Sequence, residues 1–166
     1  MSKTKLEISK ENGPHARLTA LVGDWEGTTS TWFEKDILAD ESPMQAKITL
    51  ILDNRFINYD YRGSLNGKVF EGKMLWGYNL GTQQCECAWM DTFHMGTGIM
   101  HSVGTETGAG FTVLGSYGGA GMPEPWGWRT ELSILNTDQF ILTAFNISPE
   151  GEEAKATETV YRRVKM

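Results

Sequence analysis

The stretch from Thr82 to His94, TQQCECAWMDTFH, constrains this chain more than any other. Its odd positions hold Cys85, Cys87, Trp89, Asp91 and Phe93, while its even positions hold Gln84, Glu86, Ala88, Met90 and Thr92. Alternation with a period of two marks a β-strand with one dry and one wet face. The dry face carries a single carboxylate. An ionised Asp91 in such a setting must find a hydrogen-bond donor or shift its pKa upward, so it is the first candidate for a functional role.

The same period recurs on both sides of this strand. Met44, Ala46, Ile48, Leu50 and Leu52 alternate with polar residues, and Asp53-Asn54 turns the chain into RFINYDYRG. There Ile57, Tyr59 and Tyr61 share a face opposite Asn58, Asp60 and Arg62. Asn66-Gly67 is a two-residue hairpin signal, and it leads to Phe70, Met74, Trp76 and Tyr78 on one face of the next strand. Further along, Trp126, Trp128, Leu132 and Ile134 oppose Arg129, Glu131 and Ser133, and QFILTAFNI is apolar on both faces. Between Gly96 and Tyr117 the pattern weakens, and Ile99, His101 and Val103 read as the drier set. Residues 35–43, KDILADESP, read as a polar connection. Residues 1–13 read as a flexible N-terminal segment. PHARLTALVG, starting at Pro14 and stopping at Gly23, reads as a short helix covering one end of the fold.

About ten short, evenly spaced strands predict an all-β chain: a single antiparallel up-and-down barrel spanning residues 14–166. The 19 glycines and 18 aromatic residues suit tight turns and strands better than a helical bundle. A formal charge of -6, with no basic run, excludes a phosphate-backbone partner. There is no signal-like apolar segment and no run long enough to cross a bilayer, so the reading is a cytoplasmic protein without a membrane partner. Homo-oligomerisation is left open. Cys85 and Cys87 lie two apart on one strand, roughly 6.6 Å between Cα atoms, and their parallel Cβ vectors do not suit a disulfide. They are expected to be free thiols. No metal site and no cofactor are expected.

Gly23-Asp24-Trp25 in the first strand, with Arg162 or Arg163 in the last, resembles the closing device of the calycins, the lipocalin and fatty-acid-binding superfamily. More closely, several segments resemble a bacterial lipocalin-like family catalogued as a domain of unknown function. They are LVGDWEG at 21–27, NGKVFEGKMLWGYN at 66–79, Trp89-Met90-Asp91, Arg129, PEG at 149–151 and TETVYRR at 157–163. The resemblance implies a barrel with Trp25 packed beneath a C-terminal arginine. Fatty-acid-binding calycins hold a carboxylate with Arg-x-Tyr in the last strand. Tyr161-Arg162-Arg163 departs from that spacing, so this role does not carry over, although Tyr161 remains a candidate donor.

Tyr59, Tyr61, Trp76, Tyr78, Trp89 and Trp128 fall on the inner face and suggest an aromatic cavity for a small apolar or aromatic molecule. They could equally fill the core. Arg129 is the expected partner of Asp91, either bracing two strands or orienting a ligand. Asp91, His94 and His101 are the candidate acids and bases. The sequence therefore supports a small-molecule-binding barrel. The alternatives are a metal-free enzyme of the isomerase, cyclase or decarboxylase type using the same cavity, or a structural barrel with a filled core.

Overall fold

The computed structural model describes residues 1–165. Ten strands close into one barrel in which each pairs antiparallel with its sequence neighbours, and β1 closes the ring on β10. They are β1 (Gly23–Glu34), β2 (Ile37–Ile51), β3 (Phe56–Leu65), β4 (Lys68–Asn79) and β5 (Gln84–Asp91). The second half comprises β6 (Met100–Glu106), β7 (Gly110–Tyr117), β8 (Trp126–Asn136), β9 (Gln139–Ile147) and β10 (Glu153–Arg163). Closure leaves no sheet edge unpaired, which removes the usual aggregation liability of an all-β chain.

The alternation read from β5 is observed, with Cys85, Cys87, Trp89 and Asp91 buried and the residues between them half-buried. Both cysteines are free thiols. At the Asn66-Gly67 turn both residues have positive φ, 49° and 80°, the geometry of a type I′ hairpin.

Three expectations change. The segment read as flexible holds a helix, α1 (Lys5–Asn12), started by a capping box in which Thr4 and Glu7 satisfy each other's backbone amides. The polar connection at 35–43 is strand: a tight turn at Lys35-Asp36 starts β2 at Ile37, and Ile37 to Ala39 are exposed. This end of the hairpin reaches past the core, so backbone pairing to β1 holds it and no side-chain alternation announces it. In β6 the inward residues are Met100 and Ser102, while His101 points out against Ala88. Small and polar inward residues hid the parity there.

The second helix, α2 (Pro14–Thr19), buries Leu18 and lies against β3 and β4. Helix α2 covers one end of the barrel, and α1 packs against α2. Beneath them Trp25 is buried and its indole Nε1 donates to Leu21 O at 2.8 Å. The Arg163 guanidinium lies 4.2 Å from the Trp25 ring and donates to Val22 O at 2.6 Å and Ala20 O at 2.8 Å. Of the two arginines the resemblance offered, Arg163 is the one that closes the end. The opposite end carries the β5–β6 and β7–β8 loops.

Candidate functional site

Strand β5 ends at Asp91, and the following loop folds back on it. Asp91 Oδ1 accepts from three successive amides, Phe93 N at 3.2 Å, His94 N at 2.6 Å and Met95 N at 3.0 Å. That wrap swings His94 over the barrel mouth, where its Nδ1 meets Asp91 Oδ2 at 2.5 Å. A carboxylate only accepts, so Nδ1 carries a proton, and in the neutral ring Nε2 is then the free nitrogen. Oδ2 also accepts from Tyr61 Oη at 3.2 Å, and Tyr61 Oη in turn accepts from Trp89 Nε1 at 2.7 Å. Burial pushes the Asp91 carboxyl up, but the His94 bond and charge and the loop amides outweigh it, and its pKa falls below the ordinary carboxylate value.

The rest of the ring around His94 is aromatic. Trp89 and Trp128 stack at 5.4 Å between centroids, and the imidazole packs against Trp89, Trp128, Phe70 and Phe93. Below the mouth lies a lumen of about 50 Å³. Tyr59, Tyr61, Met74, Trp89 and Trp128 form its aromatic and sulfur-bearing wall, and Thr29, Thr31, Thr130, Thr157 and Thr159 give the other wall hydroxyls. Thr29 and Thr159 hydroxyls bond each other at 2.7 Å. A space of this size holds a few water-sized groups, so side chains fill most of the barrel that strand count alone left wide.

Tyr59 borders this lumen and is fully buried, and its hydroxyl has no hydrogen-bond partner in the protein. The Tyr161 hydroxyl is near enough to act on Tyr59 through its charge and a weak hydrogen bond, but the pair falls short of full bonding geometry. Burial, and then the proximity of Tyr161, raise the Tyr59 pKa well above an ordinary phenol, so it stays a neutral donor. Tyr161 also lines the lumen and is raised by burial.

The structure brings Tyr59, Tyr61, Trp89, Asp91, His94, Trp128 and Tyr161 together and leaves four candidates out. Trp76 is fully buried but does not border the lumen; it fills the core on β4 opposite Ile57 and Cys87. Tyr78 lies beneath the helices, edge-on to His15 at 6.4 Å. His101 is on the outer surface. Arg129 does not pair with Asp91: it faces outward, bonded to Glu131 and Glu153 and lying 4.2 Å from the Phe145 ring centroid. The parity of β8 already placed it opposite Trp128, and the demand for a cation at Asp91 is met by the loop amides and His94.

Gly72 was not singled out from the sequence. It sits in register between Tyr61 on β3 and Asp91 on β5. A Cβ there would overlap the Tyr61 ring and lie 2.7 Å from Asp91 Cβ, so glycine lets the phenol cross β4 to reach the carboxylate. The sequence signal was the gap in the dry face between Phe70 and Met74. Among the described residues no three His, Cys, Asp or Glu side chains converge as metal ligands, and no helix is long and apolar enough to cross a membrane.

The fold is similar to the crystal structure of Rv2717c from M. tuberculosis, at 12% identity and a TM-score of 0.62 over 89% of this chain and 95% of that one. It is also similar to the S-type phycobiliprotein lyase CPES from Guillardia theta, at 13% identity and a TM-score of 0.59 over 99% of both chains. Likeness at these identities is likeness of fold. No curated protein matches the sequence. A family model matches residues 10–163, nearly the whole chain, and the protein belongs to that family, described as protein of unknown function (DUF1579).

Proposed function

We propose that the barrel binds a small neutral molecule in its lumen, with an apolar body against Trp89 and Trp128 and a hydrogen-bond acceptor directed to Tyr59. The observation that carries this reading is the buried Tyr59 hydroxyl, a donor on the lumen wall that no protein acceptor, Tyr161 included, meets in full bonding geometry. Leaving such a group unpaired costs about 1–3 kcal/mol, and a ligand acceptor relieves that cost. Charge narrows the ligand class. Among the described residues no lysine or arginine lines the lumen, and the His94 ring that does line it is bonded to the Asp91 carboxylate, so an anion entering it is desolvated without a free counter-charge. Size narrows it further. An apolar cavity of about 150 Å³ takes a benzene ring, and the lumen of about 50 Å³ takes a molecule of a few heavy atoms.

Acetone and acetate share a shape and differ in charge, which makes them the test pair. In an amide and indole NMR titration, acetone is expected to shift resonances of lumen residues saturably, the Trp89 and Trp128 indoles among them, while acetate leaves them in place. At a ceiling of about 1.5 kcal/mol per heavy atom, acetone binds no tighter than ~40 μM, so the titration extends into the millimolar range. Equal shifts with both probes, or shifts only at surface residues, contradict the reading.

A further inference from the structure

Two groups of opposite chemistry border the one small lumen. In its neutral form His94 offers a free Nε2, because Asp91 holds the proton on Nδ1. Tyr59 offers a buried O–H that no protein acceptor meets in full bonding geometry. The rest of the lumen lining is aromatic, threonine and aliphatic, and among the described residues it includes no lysine or arginine. We propose that the lumen catalyses proton transfer at the carbon next to a carbonyl, with small ketones or aldehydes as the substrate class, His94 as base and Tyr59 as the donor to the carbonyl oxygen. This inference rests on the lumen being the binding site.

The step balances without a co-reactant. His94 Nε2 takes a proton from the α-carbon as that C–H bond breaks, and its electron pair moves through the new C=C bond onto the carbonyl oxygen. Tyr59 stabilises the enolate by a hydrogen bond that strengthens as charge develops. Once the imidazolium proton has traded with solvent, delivery of a solvent-derived proton to the same carbon gives exchange, and delivery to another carbon of a conjugated substrate gives an isomer. Asp91 is a positioning residue: it fixes the Nδ1–H tautomer and stabilises the imidazolium that forms. Its own charge is secured by the three loop amides and by Tyr61. Catalysis here needs the base in its free form and the phenol in its protonated form. The raised Tyr59 pKa keeps the second condition satisfied throughout the neutral range.

The experiment follows loss of the acetone methyl proton signal in D₂O by NMR, with binding read in parallel from the protein's own resonances. Wild-type protein is expected to exchange acetone protons saturably, with a rate at least tenfold above that of His94→Gln. Tyr59→Phe is expected to lose a comparable factor, and Arg129→Ala, altered only on the outer surface, to match wild type. Glutamine at 94 keeps a polar side chain on a partly exposed loop and tests the base without emptying the mouth. Exchange in wild type no faster than in His94→Gln, with acetone shifts at the lumen intact, overturns the chemistry and leaves the binding reading standing. Absence of lumen shifts in wild type overturns both.

Discussion

Asp91 and His94 are joined twice: the His94 amide donates to Asp91 Oδ1 at 2.6 Å and its ring Nδ1 meets Oδ2 at 2.5 Å. One carboxylate thus sets both the path of the loop and the tautomer of the ring. Asp91→Ala removes the acceptor of three amides and is expected to destabilise the fold by roughly 2–4 kcal/mol in denaturant titration, since each amide loses about 1 kcal/mol net. Asp91→Asn is expected to be milder and to act on the ring. The carboxamide NH₂ that replaces Oδ2 donates to Nδ1, moving the imidazole proton to Nε2. Long-range proton–nitrogen NMR of His94 reads the switch directly. An unchanged tautomer in Asp91→Asn would mean that the loop, and not the carboxylate, sets the ring.

Gly72→Ala tests the crossing of Tyr61 over β4. The added methyl overlaps the Tyr61 ring, and overpacking of this kind costs about 1–3 kcal/mol. The Trp89 indole proton, bonded to Tyr61 Oη in the parent, is expected to shift strongly upon substitution. A variant as stable as wild type, with that resonance in place, would place Tyr61 elsewhere.

Much of this arrangement was legible in the sequence, for identifiable reasons. Strands with large residues on one face and charges on the other, such as 57–61 and 85–91, set their own register, because a one-residue slip inverts every side chain. That was enough to place Asp91, Tyr59, Tyr61, Trp89 and Trp128 inside. Partner choice was not legible. Arg129 looked like the natural counter-charge for Asp91, but the actual partners come from a loop whose curl depends on the carboxylate itself. His94 follows the end of the regular strand, where period-two counting no longer holds. The threonine wall was missed because Thr29, Thr31, Thr157 and Thr159 look like ordinary polar strand residues until closure turns them inward. His101 was misplaced because, after Met100, the inward positions of that strand are Ser102 and Gly104, which carry no apolar signal to fix the parity.

Arg129→Ala separates the two accounts of that residue. Its guanidinium is partly exposed and bonded to two surface glutamates, and such pairs contribute about 1 kcal/mol or less. A small loss of stability with no change in acetone affinity is expected. A loss of roughly 3–5 kcal/mol, the scale for stranding a buried charge, would restore a role for Arg129 at Asp91.

The helical end responds to acid through His15. Its ring is buried, with Nδ1 2.7 Å from Ser9 Oγ. Burial first, then the charges of Lys10 and Arg55, lower its pKa. A depressed folded pKa means that the unfolded chain binds the proton more readily. The stabilisation is therefore complete above the unfolded value near ~6.5 and is lost as pH falls from there through the folded value. Denaturant midpoints at pH 7.5 and 5 are expected to differ more for wild type than for His15→Gln. Equal differences would remove His15 as the source.

Tyr59→Phe tests the central claim most directly, through two numbers from one variant: unfolding free energy and acetone affinity. Because the hydroxyl has no partner in the protein, its removal is expected to leave stability unchanged or raised by up to about 1 kcal/mol. Loss of the hydrogen bond to the ligand, worth about 0.5–1.5 kcal/mol, is expected to weaken acetone roughly 2- to 12-fold. A clear loss of stability would show that Tyr59 and Tyr161 satisfy each other inside a filled barrel, and unchanged acetone affinity would show that the phenol does not meet the ligand. Either result contradicts the account.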